Sequence, residues 1–193
     1  MIKTDFEVAE SLDTVWGFFA DIPQVAACLP GAELSNEVGE DRYEGTVLIG
    51  LGPIKLEFDG TAEILERREE DRTIVVDAAG ADKKGRGQAE LQLNAALTPT
   101  PQGTKVDVAL DLRLSGAAAQ YGRGMIADVT SVLLGDFATN MANRLEAINK
   151  GLDPAQVASV KPASGFVIGL RALRMALARV FRRFFLPYRP ATG

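Results

Sequence analysis

The sequence predicts an α+β fold, in which a curved antiparallel sheet of about seven strands closes around one long helix and a separate amphipathic helix follows. Three observations predict it. Strand-like stretches bounded by turn residues fill residues 2–114. From Ala117 to Ile148 the apolar residues Ile126, Val129, Leu133, Phe137, Met141 and Ile148 recur at helical spacing, so they share one face that something large must cover. After Lys150 the charge changes sign: residues 1–149 hold 13 Lys and Arg against 25 Asp and Glu, for −12, whereas residues 150–193 hold 8 against 1, for +7.

Taken in order, Ile2, Thr4, Phe6 and Val8 alternate with Lys3, Asp5 and Glu7, the period of a strand with one wet face. Ser11 is placed to cap a short helix through Val15, Trp16 and Phe19, and Pro23 to start a second that ends at Leu29-Pro30-Gly31. A three-strand meander follows. Leu34 and Val38 share one side of its first strand, Tyr43, Val47 and Ile49 of its second, and Ile54, Leu56, Phe58, Ala62 and Ile64 of its third. Gly39-Glu40-Asp41 and Gly50-Leu51-Gly52-Pro53 are the turns between them. Ile74-Val75-Val76 makes a short strand before a loop from Gly80 to Gly87. Two clear strands then carry Ala89, Leu91, Leu93, Ala95 and Leu97, and Val106, Val108, Leu110, Leu112 and Leu114.

The composition narrows the chemistry. The 193 residues, 47% of them apolar, suffice for one core and an appendage. The single Cys28 rules out an internal disulfide, and the absence of His removes the commonest metal ligand and general base, so no metal site is expected. The acidic body argues against nucleic acid. Met1 to Asp5 lacks the apolar run of a signal peptide, which implies a cytoplasmic protein.

A sheet half-wrapped on a helix leaves a hollow where side chains are short. Gly45, Gly60, Ala89, Ala95, Ala118, Ala119, Gly122 and Gly124 supply such smallness, and the same residues also suit strand bends and close helix contacts. Among polar residues, Tyr121 and Thr130 are placed to anchor a ligand in a mostly apolar pocket. Asp128 reads as a solvated surface residue, Trp16 and Phe19 as core, and Cys28 as a small buried hydrophobe. Gly85-Arg86-Gly87 lacks the following helix of a phosphate loop. No catalytic constellation stands out.

The chain divides into a domain at 1–149, a linker at 150–165 containing Pro154 and Pro162, and a tail at 166–193. On a helix, Phe166, Leu170, Leu173, Leu177, Val180, Phe181 and Phe184 form one stripe, with Arg171, Arg174, Arg179, Arg182 and Arg183 around the rest, and Pro187 stops it. Five arginines forbid a span, but such a helix lies flat in a membrane interface. Docking of the stripe onto the domain or a partner remains the other reading.

Asp21-Ile22-Pro23 through Leu29-Pro30-Gly31-Ala32, Tyr43-Glu44-Gly45-Thr46-Val47, Gly50-Leu51-Gly52-Pro53-Ile54-Lys55 with Phe58 and Gly60, and Gly85-Arg86-Gly87-Gln88-Ala89 together resemble the carbon monoxide dehydrogenase CoxG family, over about residues 1–149. Leu56-Glu57 departs from the family pattern. The resemblance implies a START-like, helix-grip fold, of the SRPBCC superfamily. It also implies an accessory role for a molybdenum carbon monoxide dehydrogenase, or a related hydroxylase, at the cytoplasmic face of the membrane. A hydrophobic ligand fits that fold, and for an enzyme feeding a respiratory chain the fitting one is a quinone, menaquinone or ubiquinone. Ile49, Phe58, Leu91, Ile126, Val129, Leu133 and Phe137 would hold its isoprenoid tail, with the headgroup near Tyr121 or a loop. The alternatives are an enzyme, a cyclase or hydrolase using Asp128 or Tyr121, and a docking adaptor with a filled core.

Overall fold

Strand alternation and turn chemistry produce the expected sheet. The computed structural model describes residues 1–51, 54–120 and 123–154. Its elements are β1 (Ile2–Val8), α1 (Leu12–Phe18), α2 (Ile22–Cys28), β2 (Ala32–Gly39), β3 (Arg42–Leu51), β4 (Ile54–Arg68), β5 (Thr73–Asp82), β6 (Gln88–Thr100), β7 (Gly103–Leu114), a 3-10 turn at Gly116–Gln120 and α3 (Arg123–Asn149). All strand pairs are antiparallel, in the order β1-β7-β6-β5-β4-β3-β2. The first two strands of the chain are therefore the two edges of one sheet, and α1 and α2 carry the chain from one to the other. Ser11 accepts the Thr14 N–H at 3.2 Å and Asp21 accepts that of Gln24 at 3.2 Å, so each short helix starts on its own cap.

Helix α3 lies against β1 and α2. The larger core cluster joins Val8, Val15, Cys28, Leu97, Val106 and Met141 with their neighbours on β6, β7 and the C-terminal half of α3. Phe137 is buried there, edge-on to Phe6 at 5.9 Å and stacked on Phe19 at 6.4 Å. A smaller cluster, Leu56, Phe58, Ala118, Val129 and Val132, ties β4 to the N-terminal half of α3.

Four expectations need correction. The long helix does not begin at Ala117: Gly116 takes a φ of 67°, the following residues form the 3-10 turn, and α3 begins at Arg123. Gly80 to Asp82 belong to β5 rather than to a loop. Ile148 is 45% exposed, because it lies one turn beyond the buried Leu145 at the very end of α3, next to its last residue Asn149. Leu34 and Val38 are exposed at 39% and 47%, because β2 is an edge strand whose register breaks between Leu34 and Asn36 and again between Glu37 and Gly39.

The sheet folds along a crease. Gly45 pairs with Gly60, Gly60 with Gly80, and Gly80 with Ala89, so one cross-strand row on the helix-facing side carries almost no side chain. At Gly60 an added Cβ would lie 2.2 Å from the Ala79 carbonyl oxygen, and at Gly45 2.6 Å from that of Glu33. Backbone occupies the space where a methyl would sit. Gly60→Ala is therefore expected to destabilise the domain by more than the few tenths to 1 kcal/mol of an ordinary strand substitution, read as a lowered urea midpoint.

Candidate functional site

Beside the crease runs a second row of short side chains, Ala62 opposite Ala78, continued by Tyr43 on β3 and Leu91 on β6. Strand parity puts these residues on the face that carries Phe58, Ile74, Ala95 and Val108. The face changes along its length. At the α2 end Val106, Val108, Leu110 and Leu97 are at most 6% exposed, whereas Val47, Ala62, Val76, Ala78, Leu91 and Leu112 are only partly buried. Between the two core clusters the inner sheet face is thus an apolar trough that is only partly covered.

Of the residues expected to line a pocket, Phe58 and Val129 belong to the smaller cluster, with Ile49 and Leu133 packed on it. Leu91 packs against the larger cluster and Phe137 lies inside it. Ile126 is partly buried on α3. Tyr121 lies outside the described residues, as do the tail positions Phe166, Leu170, Arg171, Leu173, Arg174, Leu177, Arg179, Phe181, Arg182, Arg183 and Phe184.

Asp128 is 6% exposed, not solvated. It heads a stripe of α3, Asp128, Asp136, Asn140 and Arg144, at most 9% exposed throughout. Spacing by multiples of four puts the stripe alongside the apolar face, and the helix is enclosed by more than the sheet. Asn140 donates to the Cys28 carbonyl at 2.9 Å and Arg144 donates to the Gln24 side-chain oxygen at 2.6 Å, which fixes α2 onto α3. Cys28 itself is fully buried, and burial, partly opposed by Arg144, pushes its thiol up to about 11. It stays protonated at neutral pH and is no nucleophile. Thr130 spends its hydroxyl on the Ile126 carbonyl at 2.9 Å.

The Gly85-Arg86-Gly87 segment has a structural role that its sequence did not reveal. Arg86 donates from Nε and Nη2 to the two carboxylate oxygens of buried Asp82, each at 2.8 Å, and from Nη2 to the Lys55 carbonyl at 2.7 Å. The backbone N–H groups of Glu57, Lys84 and Arg86 complete the set around Asp82. The Arg86 guanidinium, above all, holds this carboxyl well below the usual range. The pair pins the β5–β6 turn to β4 beside the trough. Leu56 is 2% exposed in the smaller cluster and Glu57 pairs with Lys83, so the departure from the family pattern serves packing and a surface ion pair.

A seven-stranded antiparallel sheet curved onto a long helix defines the START-like, helix-grip class. Among solved structures, a conserved protein from Geobacillus kaustophilus is 21% identical with a TM-score of 0.67, covering 75% of this chain and 93% of its own. A START superfamily protein from Mycobacterium smegmatis is 16% identical with a TM-score of 0.54, covering 76% of this chain and 97% of its own. Comparison with curated proteins finds no match. The profile of the carbon monoxide dehydrogenase CoxG family matches residues 5–146, and the chain belongs to that family.

Because the folded Asp82 titrates below an unfolded aspartate, its contribution to stability is complete above about pH 4 and is lost as pH falls through its lower folded value. Asp82→Asn should melt at a lower temperature than wild type at pH 7, and the gap should narrow below pH 4. Thermal melts between pH 7 and pH 2.5 check both parts.

Proposed function

We propose that this protein is a non-enzymatic carrier, accessory to a molybdenum carbon monoxide dehydrogenase or a related hydroxylase, that holds a respiratory quinone in the trough. The observation that carries the reading is the partly covered apolar face beside the crease. Short side chains at Ala62, Ala78 and Ala89 leave room, and Ile49, Leu91, Ile126 and Leu133 offer contacts without a reactive group. An isoprenoid chain fits such a lining, since each buried methylene contributes about 0.8 kcal/mol. Family membership supplies the partner class, and the tail at 166–193 supplies the route to the cytoplasmic face of the membrane.

The buried Asp128 favours a second reading, an enzyme acting on a hydrophobic substrate, because a buried carboxylate on the helix that packs on the apolar sheet face is a candidate acid or base. Asp128→Asn separates the two: an enzyme loses turnover and keeps binding.

The carrier reading is tested by filling the trough. Ala78→Phe places a ring on the inner face, between Ala62 and Leu91. Titration with a short-chain menaquinone or ubiquinone, followed by Trp16 fluorescence or calorimetry, should give at least tenfold weaker binding for the variant at an unchanged fold. Equal affinity would move the ligand elsewhere. Removing residues 166–193 should abolish flotation with anionic liposomes, while a truncated protein that still floats would remove the membrane role from the tail.

A further inference from the structure

The two edges of the sheet differ. Along β1 exposed residues alternate with partly buried ones, and α3 packs against the strand. On β2 the helix α2 packs as well, yet every residue from Glu33 to Gly39 is exposed, Leu34 at 39% and Val38 at 47%. Neither side of that strand is covered.

The backbone of β2 is only half used. The Leu48 N–H donates to the Gly31 carbonyl at 2.8 Å, and from there Ala32 pairs with Val47, Glu33 with Thr46 and Leu34 with Gly45. Antiparallel pairs alternate between bonded and non-bonded, so Glu33 exchanges its bonds with Thr46, while the N–H and C=O of Leu34 and the C=O of Ala32 point away from β3. The Ala32 N–H, on that same outward side, is taken by the Leu29 carbonyl at 3.1 Å. Among the described residues no further strand pairs with β2, and the outward groups of Leu34 have no partner. Exposed edges carrying apolar side chains are normally covered or paired.

Charge selects the occupant. Residues 32–51 hold five carboxylates, Glu33, Glu37, Glu40, Asp41 and Glu44, against the single Arg42. Among the described residues none of these five stands in an ion pair. A second copy of β2 laid along this edge would set carboxylates against carboxylates, which disfavours self-pairing. An added strand that carries cations meets no such repulsion. The register breaks after Leu34 and Glu37 keep it short, centred on the regular stretch at Ala32, Glu33 and Leu34.

We propose that the β2 edge takes up a short extended segment of a partner protein, in which apolar residues alternate with Lys or Arg, as an eighth strand of the sheet. The backbone of the segment bonds the outward groups of Ala32 and Leu34. An apolar side chain lies beside Leu34, and the cations on the other face meet Glu33. Exposed ion pairs contribute little each, so the main-chain bonds carry the affinity and the charges choose the partner. The docking does not depend on the carrier reading above.

A fluorescein-labelled peptide of alternating arginine and valine, titrated with the full-length protein, tests it. Anisotropy should show saturable binding, at least tenfold weaker for the same peptide N-methylated along its backbone, which keeps the charges and loses the donors. Glu33→Gln/Glu37→Gln, at exposed positions, should weaken binding at least threefold. In hydrogen exchange followed by NMR, the Leu34 amide should exchange faster than that of Glu33 in the free protein and slow at least tenfold with saturating peptide. Equal binding of the N-methylated peptide overturns the proposal, as does the absence of saturable binding or a Leu34 rate that bound peptide leaves unchanged. A Leu34 amide already protected in a concentration-dependent dimer also overturns it, and assigns the edge to a second copy.

Discussion

The inner face of the sheet depends on one constraint, the close approach of strand backbones along Gly45, Gly60 and Gly80. Carbonyl oxygens of the neighbouring strands occupy the space of the missing side chains. That contact lets the sheet fold sharply enough to reach α3 from two directions, and the same missing side chains leave its inner face unfilled. Curvature and the bare inner row are one feature. The two core clusters then act as the walls: the larger holds α1, α2 and the C-terminal half of α3, and the smaller holds β4 to the N-terminal half.

Holding such a trough open requires rigid surroundings, and the polar groups supply them. Asp82 and Arg86 fix the turn beside it, and Asn140 and Arg144 fix α2 to α3. Each is a buried polar group whose loss leaves its partner unsatisfied, which costs more than the bond itself contributes. Cys28, Thr130 and the Asp82 pair are likewise committed to structure.

Much of this was legible in the sequence. Seven strands, two capped short helices and a long helix follow from period two, period 3.6, Ser11, Pro23 and the turn residues, all of them local signals. What depends on neighbours was not. Leu34 and Val38 alternate like core residues, but strand order makes β2 an edge. Asp128, Asp136, Asn140 and Arg144 look like a wet helix face, and are buried because α3 is enclosed on more than its apolar side. Asp82 and Arg86 look like loop charges, since nothing in an i,i+4 spacing tells that the carboxylate is fully buried. Gly45, Gly60 and Ala89 were visible as small residues. Only the register joins them to Gly80 in one row.

We propose that the trough carries a quinone, and the most direct test is mass spectrometry of an organic extract of the full-length protein, purified gently from its own host. A stoichiometric menaquinone or ubiquinone is the predicted result. Mixed phospholipid, or an empty extract, would contradict it and leave a membrane adaptor whose inner face serves another purpose.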